Sequence, residues 1–413
     1  MTLYYVSTPT PRRRTKMARK LGNWLVALGT VLLLTQGCAG PVRKEAVPSA
    51  LTTQAVVPGL ADVRYRVGID NDAILKEGLA SVQREQAYLR ASGQGTTLPP
   101  AAFLAVSGGG DNGAFGAGLL NGWTAAGNRP EFKLVTGIST GALIAPFAFL
   151  GPDYDGRLKD FYTNTAPTDI AKKRSILAVL NSDAMADNAP LWKRVGQEVD
   201  RPLLDAIARE YEKGRLLLVA TADLDARQAV LWNMTKIAAS RDPKALDLFR
   251  SILIASASIP GAFPPVMIDV EAKGHPYQEM HVDGGTMAQV FVYPPVLHLK
   301  ELGKSNRFDR ERRAYVIRNA RLDPDWAQVD RRTMNIAGRA ISSLIHTQGI
   351  GDLYRIYLTC QRDGVDYNHA YIPASFYAPH TEEFDTAYMR ALFKTAYDMA
   401  AKGYPWAKSP PGY

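Results

Sequence analysis

The chain is poor in the residues that mark metalloproteins, disulfide scaffolds and nucleic-acid binders. Its 413 residues include two cysteines, Cys38 and Cys360, and six histidines. Two cysteines cannot build a disulfide framework. Cys360 has no second thiol or histidine pair at metal-ligand spacing, so it reads as a small buried hydrophobe. No His-Glu-x-x-His pattern occurs, and neither a metal nor another cofactor is expected. Acid is absent from residues 1–37, which carry Arg12, Arg13, Arg14, Lys16, Arg19 and Lys20. Without those cations the net charge falls from +9 to +3. No basic run elsewhere argues for a nucleic-acid partner. No apolar stretch reaches the ~20 residues of a membrane span; the run from Leu21 to Leu34 is shorter and contains Asn23. Internal repeats and low-complexity tracts are missing too.

What is there begins with a secretion pattern. A basic stretch, the apolar run and then Thr35-Gln36-Gly37-Cys38 have the order of a cleavable signal. The end of this segment resembles a bacterial lipobox, in which the cysteine is diacylated and becomes the mature N-terminus. That pattern has leucine three residues before the cysteine; here Thr35 stands there and Leu34 one place earlier. Residues 1–37 are therefore expected to be a signal peptide, with initiation at Met17 and lipidation at Cys38. The implied location is the bacterial cell envelope, lipid-anchored, with Ala39 after the cysteine favouring the outer membrane. A plain signal, giving a periplasmic or secreted protein, and an uncleaved anchor are the alternatives.

With 46% hydrophobic and 22% charged residues, the rest has material for one large core or two smaller ones. Residues 38–100 read as a lipidated start, a proline-bearing tether and a helical lead-in. Ile74, Leu75, Leu79, Val82 and Leu89 recur there near a 3.6 period. From Ala101 short apolar runs alternate with helical segments. Strands are expected at 101–108, 132–137, 215–223, 228–234 and 314–319, and helices at 113–126, 142–150, 201–213 and 244–256. This alternation predicts an α/β fold: a three-layer α/β/α sandwich with a mostly parallel sheet. A catalytic domain over 101–298 is followed by a C-terminal strand and helices over 299–413, including a helix near 382–402.

Three motifs carry chemistry. Gly137-Ile138-Ser139-Thr140-Gly141 lies between an apolar strand and an apolar helix, the context of a nucleophile elbow. Gly108-Gly109-Gly110-Asp111-Asn112-Gly113 lies between the preceding strand and helix, where backbone N–H groups can hold an oxyanion. The same glycines satisfy a dinucleotide loop. That reading requires an acid about 20 residues on at a second strand end, where this chain has the serine elbow. The third motif, His281-Val282-Asp283-Gly284-Gly285, places a carboxylate that could take the serine proton. His281, two residues from Asp283, is the one histidine suspected of reaching the site, although simple packing beside the strand explains it as well. His275, His298, His346, His369 and His380 have no motif context.

In this order, with the block 255–266 (ASASIPGAFPPV) before Asp283, the motifs resemble the patatin-like phospholipase family over roughly Phe103 to His298. The resemblance implies a Ser–Asp dyad, with Ser139 as nucleophile and Asp283 as proton acceptor, and an oxyanion loop at 108–113. It also implies a lipid or phospholipid substrate, which the N-terminal lipid anchor and tether would let the domain reach at the membrane surface. Members of the family often carry Arg or Lys where this chain has Asn112. A non-lipid carboxylesterase, an acyltransferase and a catalytically silent lipid-binding lipoprotein are the alternatives; the intact Ser139 and Asp283 argue against the last.

Overall fold

The computed structural model describes residues 41–175, 182–306 and 308–413. The signal segment and Cys38 lie outside them. One folded body contains Arg43–Arg174 and Ala184–Tyr413. In chain order it holds β1 (Arg64–Arg66), α1 (Asn71–Ala91), β2 (Ala101–Val106), α2 (Gly113–Ala125), β3 (Phe132–Gly137), α3 (Thr140–Leu150) and α4 (Asp155–Thr163). A short ribbon of β4 (Lys172–Lys173) and β5 (Ala186–Asp187) precedes α5 (Ala189–Glu198), α6 (Arg201–Glu212), β6 (Leu216–Asp223) and β7 (Gln228–Asn233). Then come α7 (Met234–Ala239), α8 (Ala245–Ser256), β8 (Val266–Ala272), β9 (His275–Asp283), α9 (Leu299–Ser305) and β10 (Arg312–Arg318). The last elements are α10 (Thr333–Asp363), β11 (Asp366–Tyr371) and α11 (Thr386–Ala401).

The main sheet runs β1-β7-β6-β3-β2-β10-β11, with β9 joined to β6 and β8 to β9. From β6 to β11 every neighbour along that order is parallel, as the continuous apolar runs predict. Alternate residues of each strand serve two cores. Leu104, Val106, Leu217, Val219 and Ile317 enter the larger one, which takes side chains from α2, α3, α6, α8 and α11. Phe103, Ala105, Leu218 and Val316 face the other way, against Leu353, Ile356 and Cys360 of α10. Helices therefore flank both faces, as expected. Cys360 is a fully buried core residue.

The strands foreseen as apolar runs all form. Antiparallel β8 and β9 were not among them. In β8 buried and more exposed positions alternate, a pattern that a search for continuous apolar runs passes over. No helix of the described residues is long and apolar enough to cross a membrane.

Packing of α2 on α11 is close because α2 presents glycines to it. A Cβ added at Gly118 would lie 2.2 Å from Phe393 O, and one at Gly122 2.3 Å from Tyr397 O. Gly78 in α1 has nothing within 4 Å. Gly118→Ala is expected to lower stability by about 2 kcal/mol, because backbone must move. Gly78→Ala should raise it by about 0.5–1 kcal/mol from helix propensity alone. Urea midpoints of the two variants check both signs; equal effects would remove the close-packing account.

Candidate active site

β3 stops at Gly137 and α3 starts at Thr140, leaving Ile138 and Ser139 to make the turn. Ser139 sits at φ 56°, ψ −127°, a conformation that side chains with a Cβ avoid at a cost of about 1–3 kcal/mol. Neighbouring bonds hold it there. Ser139 N–H donates to Ser256 Oγ (3.0 Å), which donates to Ala220 O (2.7 Å), and Ala142 N–H donates to Ser139 O (2.8 Å). The flanking glycines are needed for room. A Cβ at Gly137 would stand 2.4 Å from Gly141 O, and one at Gly141 2.2 Å from Val106 O.

The end of β3 also explains how Asp283 arrives. β3 pairs with β6 only as far as Gly137↔Val219. Beyond that point β9 takes the vacated edge, pairing Thr221↔Asp283, Ala222↔Val282 and Asp223↔His281. Asp283 thus stands where β3 would have continued, and its carboxylate lies beside the Ser139 hydroxyl, which favours the ionised form. Its Oδ1 also accepts from Gly285 N–H (2.7 Å), and Asp283 N–H donates to Ser258 O (2.9 Å). Gly284 lets this turn lie on Ala220 O, 2.5 Å from where a Cβ would be. Burial pushes the Asp283 carboxyl up to about 6, against the Ser139 hydroxyl and the bond from Gly285. A carboxylate so poised is a base near neutral pH.

The glycine loop closes the third side. Gly108 packs on Ser139, its missing Cβ only 3.1 Å from Ser139 Cβ, while its N–H donates to Gln289 O (3.1 Å). Gly109 (φ 150°) and Gly110 (φ 57°) follow in left-handed conformations. Among the described residues their N–H groups meet no acceptor, and Gly110 lines the pocket that holds Ser139. Gly113 lets α2 start against Thr140, whose Oγ1 is 2.3 Å from the site of a Cβ. The loop's side chains face a different partner. Asp111 is buried, and its Oδ2 pairs with His380 Nε2 (2.7 Å) and accepts from Phe384 N–H (3.0 Å). Asn112 Oδ1 accepts from Tyr388 OH (2.6 Å). The segment leading into α11 therefore clamps the loop.

His380, which has no motif around it in the sequence, thus belongs to the site's surroundings. Asn319 braces the loop from β10: its Nδ2 donates to Ser107 O (2.9 Å), and its Oδ1 accepts from Gly116 N–H (3.0 Å). Block 255–266 ties Ser139 and Asp283 together through Ser256 and Ser258 and supplies Ala257, Ile259 and Phe263 to the pocket. Leu143, Phe161, Ile170, Leu191 and Phe384 complete an apolar wall beside Ser139.

His281 is engaged by partners other than Ser139. Trp232 Nε1–H donates to Thr221 Oγ1 (2.8 Å), which meets His281 Nδ1 (2.8 Å); His281 Nε2 meets Glu279 (3.1 Å). Asp223, Glu279 and His281 approach one another closely enough for a metal. The Arg64 guanidinium, however, already neutralises Glu279. Burial raises the Glu279 carboxyl, but His281 and Arg64 hold it down at about 2. The cluster satisfies itself.

Residues 104–296 match the family model described as Patatin-like phospholipase. That stretch is a patatin-like phospholipase domain, in general terms a lipid acyl hydrolase. Among solved structures, VipD from Legionella pneumophila is 11% identical, with an alignment covering 74% of this chain and 67% of that one and a TM-score of 0.38. No curated protein sequence matches the chain.

The raised carboxyl has a measurable cost. Between pH 4 and 6 folded Asp283 keeps a proton that the unfolded chain has lost, so stability falls across that window and is level above it. A shift from 3.8 to about 6 corresponds to about 3 kcal/mol. Asp283→Asn is expected to be more stable than the parent at pH 7–8 by up to that amount, the gap closing below pH 4. Denaturant titrations at the two pH values test the sign.

Proposed function

We propose that this patatin-like phospholipase domain hydrolyses lipid acyl esters with Ser139 as nucleophile and Asp283 as proton acceptor. The observation that carries the reading is a strained serine beside a buried carboxylate and an apolar wall. As Ser139 Oγ attacks the ester carbonyl, its proton passes to Asp283. Charge developing on the carbonyl oxygen meets the unengaged N–H groups of Gly109 and Gly110 and the positive end of α3. Collapse expels the alcohol, which takes the proton from Asp283, and leaves an acyl-enzyme. Asp283 then draws a proton from water as its oxygen attacks the acyl carbonyl; collapse breaks the bond to Ser139 Oγ, which takes that proton back from Asp283, and the fatty acid leaves. The acyl chain lies along Leu143, Phe161, Leu191 and Phe384. For the N-terminus the reading remains lipidation at Cys38, which would hold the enzyme at the bacterial envelope and its phospholipid.

A fluorophosphonate probe should label Ser139, and Ser139→Ala should lose both labelling and turnover of phospholipid and short-chain esters. Asp283→Asn should cut turnover by roughly 10⁴-fold. The double variant should be no worse, because the pair acts as one unit. With Asp283 required as carboxylate, kcat/KM should climb about tenfold per pH unit below about 6 and level off above. A pH-independent rate, or near-normal turnover in Asp283→Asn, would remove Asp283 from the mechanism.

A further inference from the structure

The helix α10 is buried for only part of its length. From Gly349 onward it packs on the sheet through Leu353, Ile356 and Cys360. Before Gly349 it is almost wholly solvated: from Thr333 to Ile345 every described side chain is exposed except the half-buried Arg339. At the helical rise, residues 333–348 extend roughly 24 Å. They extend past the end of the sheet that carries the active site. The reason is topological: α10 links two parallel strands, β10 and β11, and so begins at the strand ends where the elbow and the glycine loop lie.

This exposed half is two-sided. Ile341, Ile345, Gln348 and Asp352 follow at i, i+4, i+7 and i+11, one stripe of a helix. The lower members of the stripe face the catalytic residues. Gln289 Nε2 donates to Gln348 Oε1 (3.0 Å) and to Gly285 O (2.7 Å), and Gln289 N–H donates to Asp352 Oδ2 (2.7 Å). The upper members, Ile341 and Ile345, with Leu344 beside them at 70% exposure, face open solvent on that same side. Asn335, Arg339, Ser342, Ser343 and His346 occupy the opposite face, at whose edge Ile336, 53% exposed, also lies. The loop entering the helix bears Trp326, 88% exposed. Ion pairs to Asp325 and Asp323 neutralise Arg339 and Arg321, whereas Arg331 and Arg332 at the tip have no carboxylate partner among the described residues.

We propose that the projecting half of α10, with Trp326, is the element that seats the enzyme on an anionic phospholipid surface. Its apolar stripe enters the acyl region, while Arg331 and Arg332 meet lipid phosphates. The inference rests on the lipid-hydrolase reading for its biological sense. Three features select this occupant. Aliphatic side chains on one helical face, with an exposed indole in the loop before it, are what an interface takes up. The unpartnered cations are complementary to anionic head groups. The stripe is continuous with the residues beside Asp283, so a lipid drawn from the surface already lies at the mouth of the site.

The test uses the full chain carrying Cys38→Ser, with one new cysteine at either Leu344→Cys or Ser343→Cys, labelled with bimane; buried Cys360 stays unlabelled. Phosphatidylglycerol vesicles containing a nitroxide-labelled acyl chain should quench and blue-shift the label at 344 and leave that at 343 little changed. Phosphatidylcholine vesicles should quench the label at 344 less. Attachment through the N-terminus alone would affect the two neighbouring positions alike and overturn the proposal. A label at 344 already shielded without lipid, in a concentration-dependent way, would assign the stripe to a second copy of the chain and overturn it as well. In parallel, Ile341→Ser with Leu344→Ser should lower turnover of phosphatidylglycerol vesicles at least ~10-fold and leave a soluble butyrate ester within about twofold. Equal losses on both substrates would contradict surface docking. If the parent hydrolysed neither, the lipid-hydrolase reading would fail, and the 344/343 comparison would still decide whether the helix meets lipid.

Discussion

The site depends on one exchange at the edge of β6. A strand cannot turn into a nucleophile elbow and also keep its neighbour paired. When β3 leaves at Gly137, the backbone groups of β6 beyond Val219 need new partners, since buried N–H and C=O groups are seldom left open. β9 supplies them from Thr221 on, and Ser256 Oγ covers Ala220 O in the gap. The repair is also what brings a carboxylate to Ser139, because the last residue of the replacing strand is Asp283. Removing the elbow would leave the aspartate with no place in the sheet.

Desolvation acts twice on the same residue. The surroundings that shield Asp283 from water raise its carboxyl to about 6, and so match it to proton transfer. They also make its ionised form a burden on the fold. The hydrogen bond from Gly285 and the neighbouring Ser139 hydroxyl offset part of that burden without cancelling it. Asp223, Glu279 and His281, a few residues away, show the contrasting solution. There a guanidinium and a histidine are packed against the carboxylate, and Glu279 is a settled anion with no proton affinity to lend.

Much of the sheet and of the site was legible in the chain because local backbone demands select local residues. Gly137 and Gly141 are required by atoms within a few residues or one strand away, and Gly109 and Gly110 by their own φ angles. Buried parallel strands announce themselves as unbroken apolar runs. The partners that brace these motifs left no such mark. Ser256 lies 117 residues from the serine whose N–H it holds, and His380 lies 269 residues from Asp111. A histidine whose neighbours in the sequence are ordinary gives no sign of a carboxylate brought to it by folding. The exposed half of α10 was missed for a related reason: aliphatic residues at helical spacing read as core until the fold shows nothing covering them.

The clamp on the glycine loop has a consequence for the order in which the enzyme comes into being. Ser139, Asp283 and every glycine of the loop leave the ribosome before His380, Phe384 and Tyr388. Domains fold as units during synthesis, from the N-terminal end. A nascent chain that has just completed Asp283 still lacks the partners of Asp111 and Asn112 and one wall of the acyl pocket. Completion of the braced loop and of the pocket beside Ser139 is thereby postponed to the final stretch of translation.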